Sequence, residues 1–112
     1  MTLKKPLEER QPPASTTAHE AYVMVVNKRG LHARAAAKFV KLAAEFEADI
    51  QVTAAKGGLT GGAIVSGRSI MGLMMLAAAP GSVLHISAAG GDAQVALKAL
   101  VKLVDDGFDE RD

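Results

Sequence analysis

Two segments of the chain place apolar residues at every second position, which is the period of a strand with one buried face. They lie at residues 50–54 and 84–88. Two further segments favour strands by composition: residues 22–26 are rich in valine, and residues 63–66 follow a run of glycines. The pattern therefore predicts four short strands.

Three other segments repeat apolar residues at spacings of three and four, as helices with one buried side do. They begin at His32, Ser69 and Asp92, and the last two are residue types that favour a helix N-cap. Gly107 is expected to close the third helix. The inward positions predicted from the spacing are Ala36, Phe39, Ala43 and Phe46, then Ile70, Leu73 and Ala77, then Ala93, Leu97, Leu100 and Val104.

The predicted elements follow the order βαββαβα, an α+β arrangement. This order favours one four-stranded antiparallel sheet covered on one face by three helices. Residues 1–20 contain three prolines and no apolar period, so we predict a disordered leader there and a single domain over residues 21–112. The glycine-rich residues 56–62 are expected to form a flexible connection between the second and third strands.

Composition narrows the classes of function. The chain has 112 residues and a net charge of +1, so charge gives no reason to expect nucleic acid or a membrane as the main partner. It has no cysteine, which excludes disulfides, zinc–thiolate sites and thiol catalysis. The most apolar run, residues 70–79, is about half as long as a membrane span. We expect a monomeric cytoplasmic protein with no metal and no cofactor.

The three histidines differ in their surroundings. His19 lies in the predicted leader, and His85 lies on the polar side of a strand. His32 stands where a loop becomes a helix, with Arg34 two residues later. The free backbone amides and partial positive charge of a helix N-terminus stabilise a phosphate and favour the neutral, nucleophilic form of an adjacent imidazole. His32 is therefore the candidate carrier of a phosphoryl group.

Simpler interpretations exist for each of these residues. On local features alone, a histidine that only caps the helix is the favoured interpretation of His32. Taken by itself, Arg34 is best explained as a solvated helix charge, and Ser69 as an N-cap.

Two longer motifs change this balance. Residues 30–34, Gly-Leu-His-Ala-Arg, followed by the helix that contains Phe39, resemble the active-site segment of HPr, the histidine phosphocarrier of the phosphoenolpyruvate-dependent phosphotransferase system. Residues 67–74, Gly-Arg-Ser-Ile-Met-Gly-Leu-Met, resemble the regulatory serine region of the same family. The resemblance covers about residues 22–107, with the two motifs in matching order.

The resemblance implies an open-faced β-sandwich and a stoichiometric carrier rather than an enzyme. It implies that His32 is phosphorylated on Nδ1, that Arg34 neutralises the phosphate, and that Ser69 is the target of a regulatory HPr serine kinase/phosphorylase. Enzyme I would supply the phosphoryl group, and enzyme IIA-type proteins would receive it. Ile70, Met71 and Met74 would contact these partners, because the methionines of this segment cannot all share the inward side of one helix.

Two features of the chain depart from the usual pattern of the HPr family. Ala35 stands where many relatives have proline, which alters the helix start but removes no reacting group. The stretch at residues 56–62 is longer than the usual hairpin.

A regulatory binding module that signals through Ser69 is the main alternative to a carrier. If the chain is a carrier, its acceptors could serve sugar transport or a nitrogen-related regulatory branch. A hydrolase using Ser69 and His32 is disfavoured, because no recognised motif supplies an acidic residue to orient the imidazole.

Overall fold

The computed structural model describes residues 18–55 and 63–110. Four strands and three helices occur in the predicted order, and a short 3₁₀ helix follows them. The strands are β1 (Ala18–Met24), β2 (Asp49–Ala55), β3 (Val65–Ser66) and β4 (Val83–Ala89). The helices are α1 (Ala33–Ala43), α2 (Ile70–Met75) and α3 (Ala93–Asp105), and the 3₁₀ helix spans Gly107–Asp109.

The four strands form one sheet in the order β1-β4-β2-β3, and every pairing is antiparallel. Strand β4 lies in the middle, so that Ile86 has a neighbour on each side, Ala21 in β1 and Val52 in β2. This confirms the predicted α+β fold, with the helices packed on one face of an open antiparallel sheet.

Alternation along β4 separates the two faces of the sheet. Leu84, Ile86 and Ala88 are buried beneath the helices, whereas His85 and Ser87 face the open side. The helices supply the other half of the core, and α1 buries Phe39 completely. The predicted inward positions of α3 are also all buried: Ala93, Leu97, Leu100 and Val104.

The inward side of the second helix was predicted incorrectly. Leu73 is buried as expected, but Ile70 is 39% exposed and Ala77 is also exposed. The helix ends at Met75, and Ala77 takes a φ of +51°, so it lies in a turn and not on a helical face. Leu76, at the C-cap, is buried in its place. A helix of six residues is too short for the period to determine which side is buried.

The first strand begins before the predicted domain boundary. Residues 18–20, including His19, pair with Ser87, Ala88 and Ala89 of β4, so they belong to the sheet and not to a disordered leader. All three side chains are exposed, so this end of the strand has no apolar period to reveal it. The remaining leader and the connection at residues 56–62 lie outside the described residues, and those predictions stay open.

Asp92 occupies the N-cap position of α3 but does not cap it by a side-chain hydrogen bond. Its carboxylate instead accepts hydrogen bonds from the backbone N–H groups of Glu47 (2.9 Å) and Ala48 (2.8 Å). The side chain therefore joins the start of α3 to the segment that leads into β2. Phe46 lies in that segment, beyond the end of α1, and is half-buried. Within the described ranges, no helix combines the length and apolarity needed to cross a membrane.

Candidate functional site

His32 is the N-cap residue of α1, as the sequence predicted. Its backbone is extended (φ −79°, ψ −179°), and its carbonyl accepts the first helical hydrogen bond, from Ala36 N at 2.8 Å. The ring atom Nδ1 accepts a long hydrogen bond of 3.3 Å from the backbone N–H of Arg34. One ring nitrogen thus faces the amides of the helix N-terminus, where an anion is stabilised.

The loop before His32 is held by backbone contacts that need a glycine. Gly30 has a φ of +65°, a conformation that other residues rarely adopt. Its N–H donates to Asn27 O at 3.1 Å, and its carbonyl accepts from the buried Asn27 side chain at 2.9 Å. The next residue, Leu31, is buried and donates to Ala78 O at 2.9 Å. These contacts fix the point at which the chain enters α1.

Glu110 is the site residue that sequence reasoning missed. Its Oε2 atom contacts His32 Nε2, and its Oε1 atom accepts a hydrogen bond of 2.9 Å from Asn27 Nδ2. Partial burial by itself raises the pKa of the Glu110 carboxyl, but the hydrogen bonds from Asn27 and His32 and the charges of His32 and Lys38 outweigh it and lower that pKa. The residue lies 78 positions after His32. No local pattern connects the two residues, so no sequence signal could have found this contact.

Arg34 lies in the first turn of α1, and its side chain is exposed. Within the described part of the chain, its guanidinium forms no hydrogen bond or ion pair. A cation at a helix N-terminus is electrostatically unfavourable, and this turn contains no acidic residue to offset it. The group is therefore free to meet an anion brought to the helix end.

Ser69 caps α2, as predicted: its Oγ atom accepts a hydrogen bond of 2.9 Å from Gly72 N. The preceding Arg68 donates to the carbonyls of Phe46 and Ala48, which ties this helix start to the segment before β2. Ser69 Oγ forms no hydrogen bond with His32 in the described structure, so the two do not form a nucleophile–base pair. Glu110 does provide an acidic partner for the imidazole of His32. A hydrolase would also need Ser69 as a nucleophile activated by His32, and that contact is not made.

Helix α2 packs against α1 and exposes a group of large apolar side chains. The three residues predicted as partner contacts are exposed by 39% for Ile70, 71% for Met71 and 41% for Met74. Both methionines are therefore exposed, as contact with a partner would require. Whether they contact a partner stays a prediction.

The other two histidines are apart from this site. His85, on the open face of the sheet, bonds to Glu20 at 2.7 Å and packs beside the ring of Tyr22, with 4.8 Å between ring centroids. His19 is an exposed residue of β1. Residues 18–55 and 63–110 also contain no group of three or more His, Asp or Glu side chains able to hold a metal ion.

The chain matches known proteins over most of its length. Residues 19–106 match the family model described as "PTS HPr component phosphorylation site". The phosphocarrier protein HPr of Pseudomonas aeruginosa is 44% identical over 88 residues, which are 79% of this chain and 92% of the relative. The phosphocarrier protein NPr of Shewanella violacea is 42% identical over 94 residues, 84% of this chain and 97% of the relative.

A solved structure gives the same result for the fold. The crystal structure of HPr-C-His from Thermoanaerobacter tengcongensis superposes with a TM-score of 0.72 at 41% identity, and the match covers 83% of this chain and 98% of that one. Sequence and fold agree over the region that contains His32, Arg34 and Ser69. The chain therefore belongs to the HPr family of the phosphotransferase system, whose members carry a phosphoryl group as phosphocarriers and are not themselves enzymes.

Proposed function

We propose that His32 is the phosphorylated residue of this carrier, accepting a phosphoryl group on Nδ1 from phosphorylated enzyme I and passing it to enzyme IIA-type proteins. The observation that carries the proposal is the position of the ring. Nδ1 lies at the N-terminus of α1 beside the Arg34 amide, and Nε2 is engaged by Glu110. Among the described residues, Nδ1, which faces the anion-stabilising helix end, therefore has no acidic partner.

The transfer needs only the atoms of this site and the donor. The Nδ1 lone pair attacks phosphorus, and the bond between phosphorus and the donor's carrier atom breaks. The long Arg34 N–H contact to Nδ1 is exchanged for one to a phosphoryl oxygen. Transfer to an acceptor repeats these steps in reverse, with the acceptor atom as the nucleophile.

Arg34 is proposed to neutralise the phosphoryl group. Its exposed guanidinium lacks a partner within the described chain, and its planar fork of donors matches phosphate oxygens. A cation in the first turn of α1 is electrostatically unfavourable by itself, but it becomes favourable once a dianionic phosphoryl group is bound beside it.

Ser69 is proposed as the site of regulatory phosphorylation by an HPr serine kinase/phosphorylase. Its Oγ atom lies at the start of α2, where a phosphate adds negative charge that the helix end tolerates. The modification would therefore change the surface rather than unfold the helix. That surface includes Ile70, Met71 and Met74, which we propose as the apolar contact with enzyme I and with the acceptors.

The proposal also covers the state of the protein in the cell: a monomer in the cytoplasm. The absence of cysteine fits the reducing conditions of the cytoplasm. Sedimentation of the purified chain over a range of concentrations gives the oligomeric state directly, and a dimer at low concentration would contradict it.

Labelling identifies the carrier residue. The purified protein is mixed with enzyme I and ³²P-labelled phosphoenolpyruvate, using wild type, His32→Ala and His85→Ala. Wild type and His85→Ala should take up label in an acid-labile, alkali-stable form, and His32→Ala should take up none. Label on His32→Ala, or none on wild type, would contradict the proposal. Adding the labelled carrier to a cell extract then shows which proteins accept the group, and so whether they serve transport or regulation.

A further inference from the structure

The Glu110 carboxylate connects the two segments that build the site. Oε2 contacts the ring of His32, and Oε1 accepts from Asn27, which also donates to the carbonyl of Gly30. The side chains of His32 and Glu110 are 16% and 11% exposed, so the contact is largely shielded from water. The ring is thereby linked to the loop that precedes it through a single carboxylate.

The network determines which ring nitrogen carries the proton. Nδ1 accepts a hydrogen bond from the backbone N–H of Arg34, so Nδ1 is the unprotonated nitrogen and the proton is on Nε2. Nε2–H then donates to Glu110. Both N–H groups of Asn27 are used, while its buried Oδ1 atom has no partner in the described structure. Leaving a buried acceptor unpaired is costly, and such atoms are concentrated where a site requires a particular arrangement.

The segment that bears Glu110 is held in an unusual conformation. Gly107, Phe108 and Asp109 have φ values of +67°, +58° and +61°, which are unfavourable for the last two. Phe108 is completely buried, and its carbonyl accepts a hydrogen bond of 2.8 Å from Lys38 of α1. Burial of the ring and this contact stabilise a turn that aims residue 110 back at α1. The turn lies beyond residue 106, where the match to the family model ends.

We infer that Glu110 is the positioning residue of the carrier histidine: it accepts a hydrogen bond from Nε2–H, orients the ring and keeps Nδ1 unprotonated for attack on phosphorus. This inference rests on the proposed role of His32. When the Nδ1–phosphorus bond forms and the donor's bond to phosphorus breaks, the ring gains one positive charge. The carboxylate beside Nε2–H stabilises that charge, and no proton has to leave during the step.

The first test needs no phosphoryl transfer. The ¹⁵N shifts of the His32 ring report which nitrogen carries the proton in the unphosphorylated protein. Wild type and Asp109→Asn should show the Nε2–H form, and Glu110→Gln should show a clear increase in the Nδ1–H form. Asp109 is the matched control because it is an exposed carboxylate of the same turn, and asparagine tolerates its positive φ. An unchanged tautomer in Glu110→Gln would overturn the inference.

The second test measures single-turnover transfer from phosphorylated enzyme I. Glu110→Gln should be slower by about tenfold at saturating enzyme I, with little change in the concentration that half-saturates transfer. Glu110→Asp, which keeps the charge, should recover part of the rate, whereas Asp109→Asn should match wild type. Equal rates for Glu110→Gln and Asp109→Asn would overturn the positioning role. Failure of His32 to accept phosphate at all would overturn the proposed function, while the tautomer measurement would still test the contact.

Discussion

The carbonyl oxygen of Ala78 lies against the place where a Cβ atom would project from Gly30. It accepts the N–H of Leu31 at 2.9 Å, and it is too close to an added Cβ for van der Waals contact. The loop after α2 thus packs directly on the loop that precedes His32. Only glycine permits this approach, because residue 30 also needs a φ of +65°.

Gly30→Ala should therefore destabilise the fold and displace His32. The positive φ alone costs about 1–2 kcal/mol for a residue with a Cβ atom, and the clash with Ala78 adds to it. Urea unfolding of the variant should show at least this loss, together with slower phosphoryl transfer. Gly91→Ala is the control, because a Cβ there meets nothing within 4 Å and the position has no positive φ. Equal stability of the two variants would contradict the packing argument.

Arg34→Ala should slow transfer through His32 without weakening the fold. The guanidinium is exposed, and removing a cation from a helix N-terminus is neutral or stabilising by about 0.3–1 kcal/mol. Lys41→Ala, an exposed cation in the last turn of the same helix, is the control and should transfer normally. Rapid-quench transfer rates and thermal unfolding separate the two effects. Unchanged transfer rates in Arg34→Ala would contradict the proposed role and show that Arg34 is only a solvated surface charge.

Substitution of Ser69 should separate its capping role from its regulatory role. Ser69→Ala loses the hydrogen bond to Gly72 N and should cost about 1 kcal/mol in the free energy of unfolding, whereas Ser69→Asp keeps a cap and should stay near wild type. In phosphorylation by enzyme I, Ser69→Asp should raise the apparent Michaelis constant more than it lowers the maximal rate, because its charge lies on the docking surface. A tenfold increase corresponds to about 1.4 kcal/mol of docking free energy.

Protein phosphorylated on Ser69 provides a stronger test of the coupling between Ser69 and His32. Phosphoserine carries more charge than aspartate, so protein phosphorylated on Ser69 should be affected more than Ser69→Asp. Equal Michaelis constants for wild type, both variants and the phosphorylated protein would show that Ser69 and His32 are not coupled through docking.

Truncation of an exposed methionine tests the docking surface itself. Met71→Ala should raise the apparent Michaelis constant for enzyme I and leave the unfolding midpoint nearly unchanged, because Met71 is 71% exposed and contributes little to the core. Val95→Ala on α3 is the control, being similarly exposed at 61%. Steady-state kinetics with enzyme I distinguish the two variants. The same response from both would mean that this methionine makes no special contact.

The lowered pKa of Glu110 predicts how stability depends on pH. A carboxyl whose pKa is lower in the folded state binds fewer protons there, so it contributes stability at neutral pH. That contribution falls away as the pH drops below the ordinary value of 4.5 and through the folded value. Urea unfolding from about pH 7 to about pH 3 should therefore show a larger loss of stability for wild type than for Glu110→Gln. A larger loss for the variant would contradict the direction of the shift.

The pattern of apolar and polar positions was sufficient to predict the order of the elements and the antiparallel sheet. Alternation in β2 and β4 and the three- and four-residue spacings of α1 and α3 identify elements long enough for the period to mark the buried side. Local features placed His32 and Ser69 at helix starts, where both act as N-caps. The functional roles predicted for them and for Arg34 came from the resemblance of two motifs to HPr. The apolar spacing did not predict the buried side of α2, because a helix of six residues is too short to show a period. It also did not predict the start of β1, because the side chains there are exposed.

Only the tertiary structure decided what surrounds the histidine. Glu110 meets His32 across 78 positions, Asn27 joins both to Gly30, and Asp92 bonds to Glu47 and Ala48 instead of capping its helix. Hydrogen bonds of this kind depend on where two distant segments are packed, and the burial of Phe108 sets that position for the C-terminal turn. A linear pattern specifies which side of an element is buried. It does not specify which polar groups meet once the buried sides have come together.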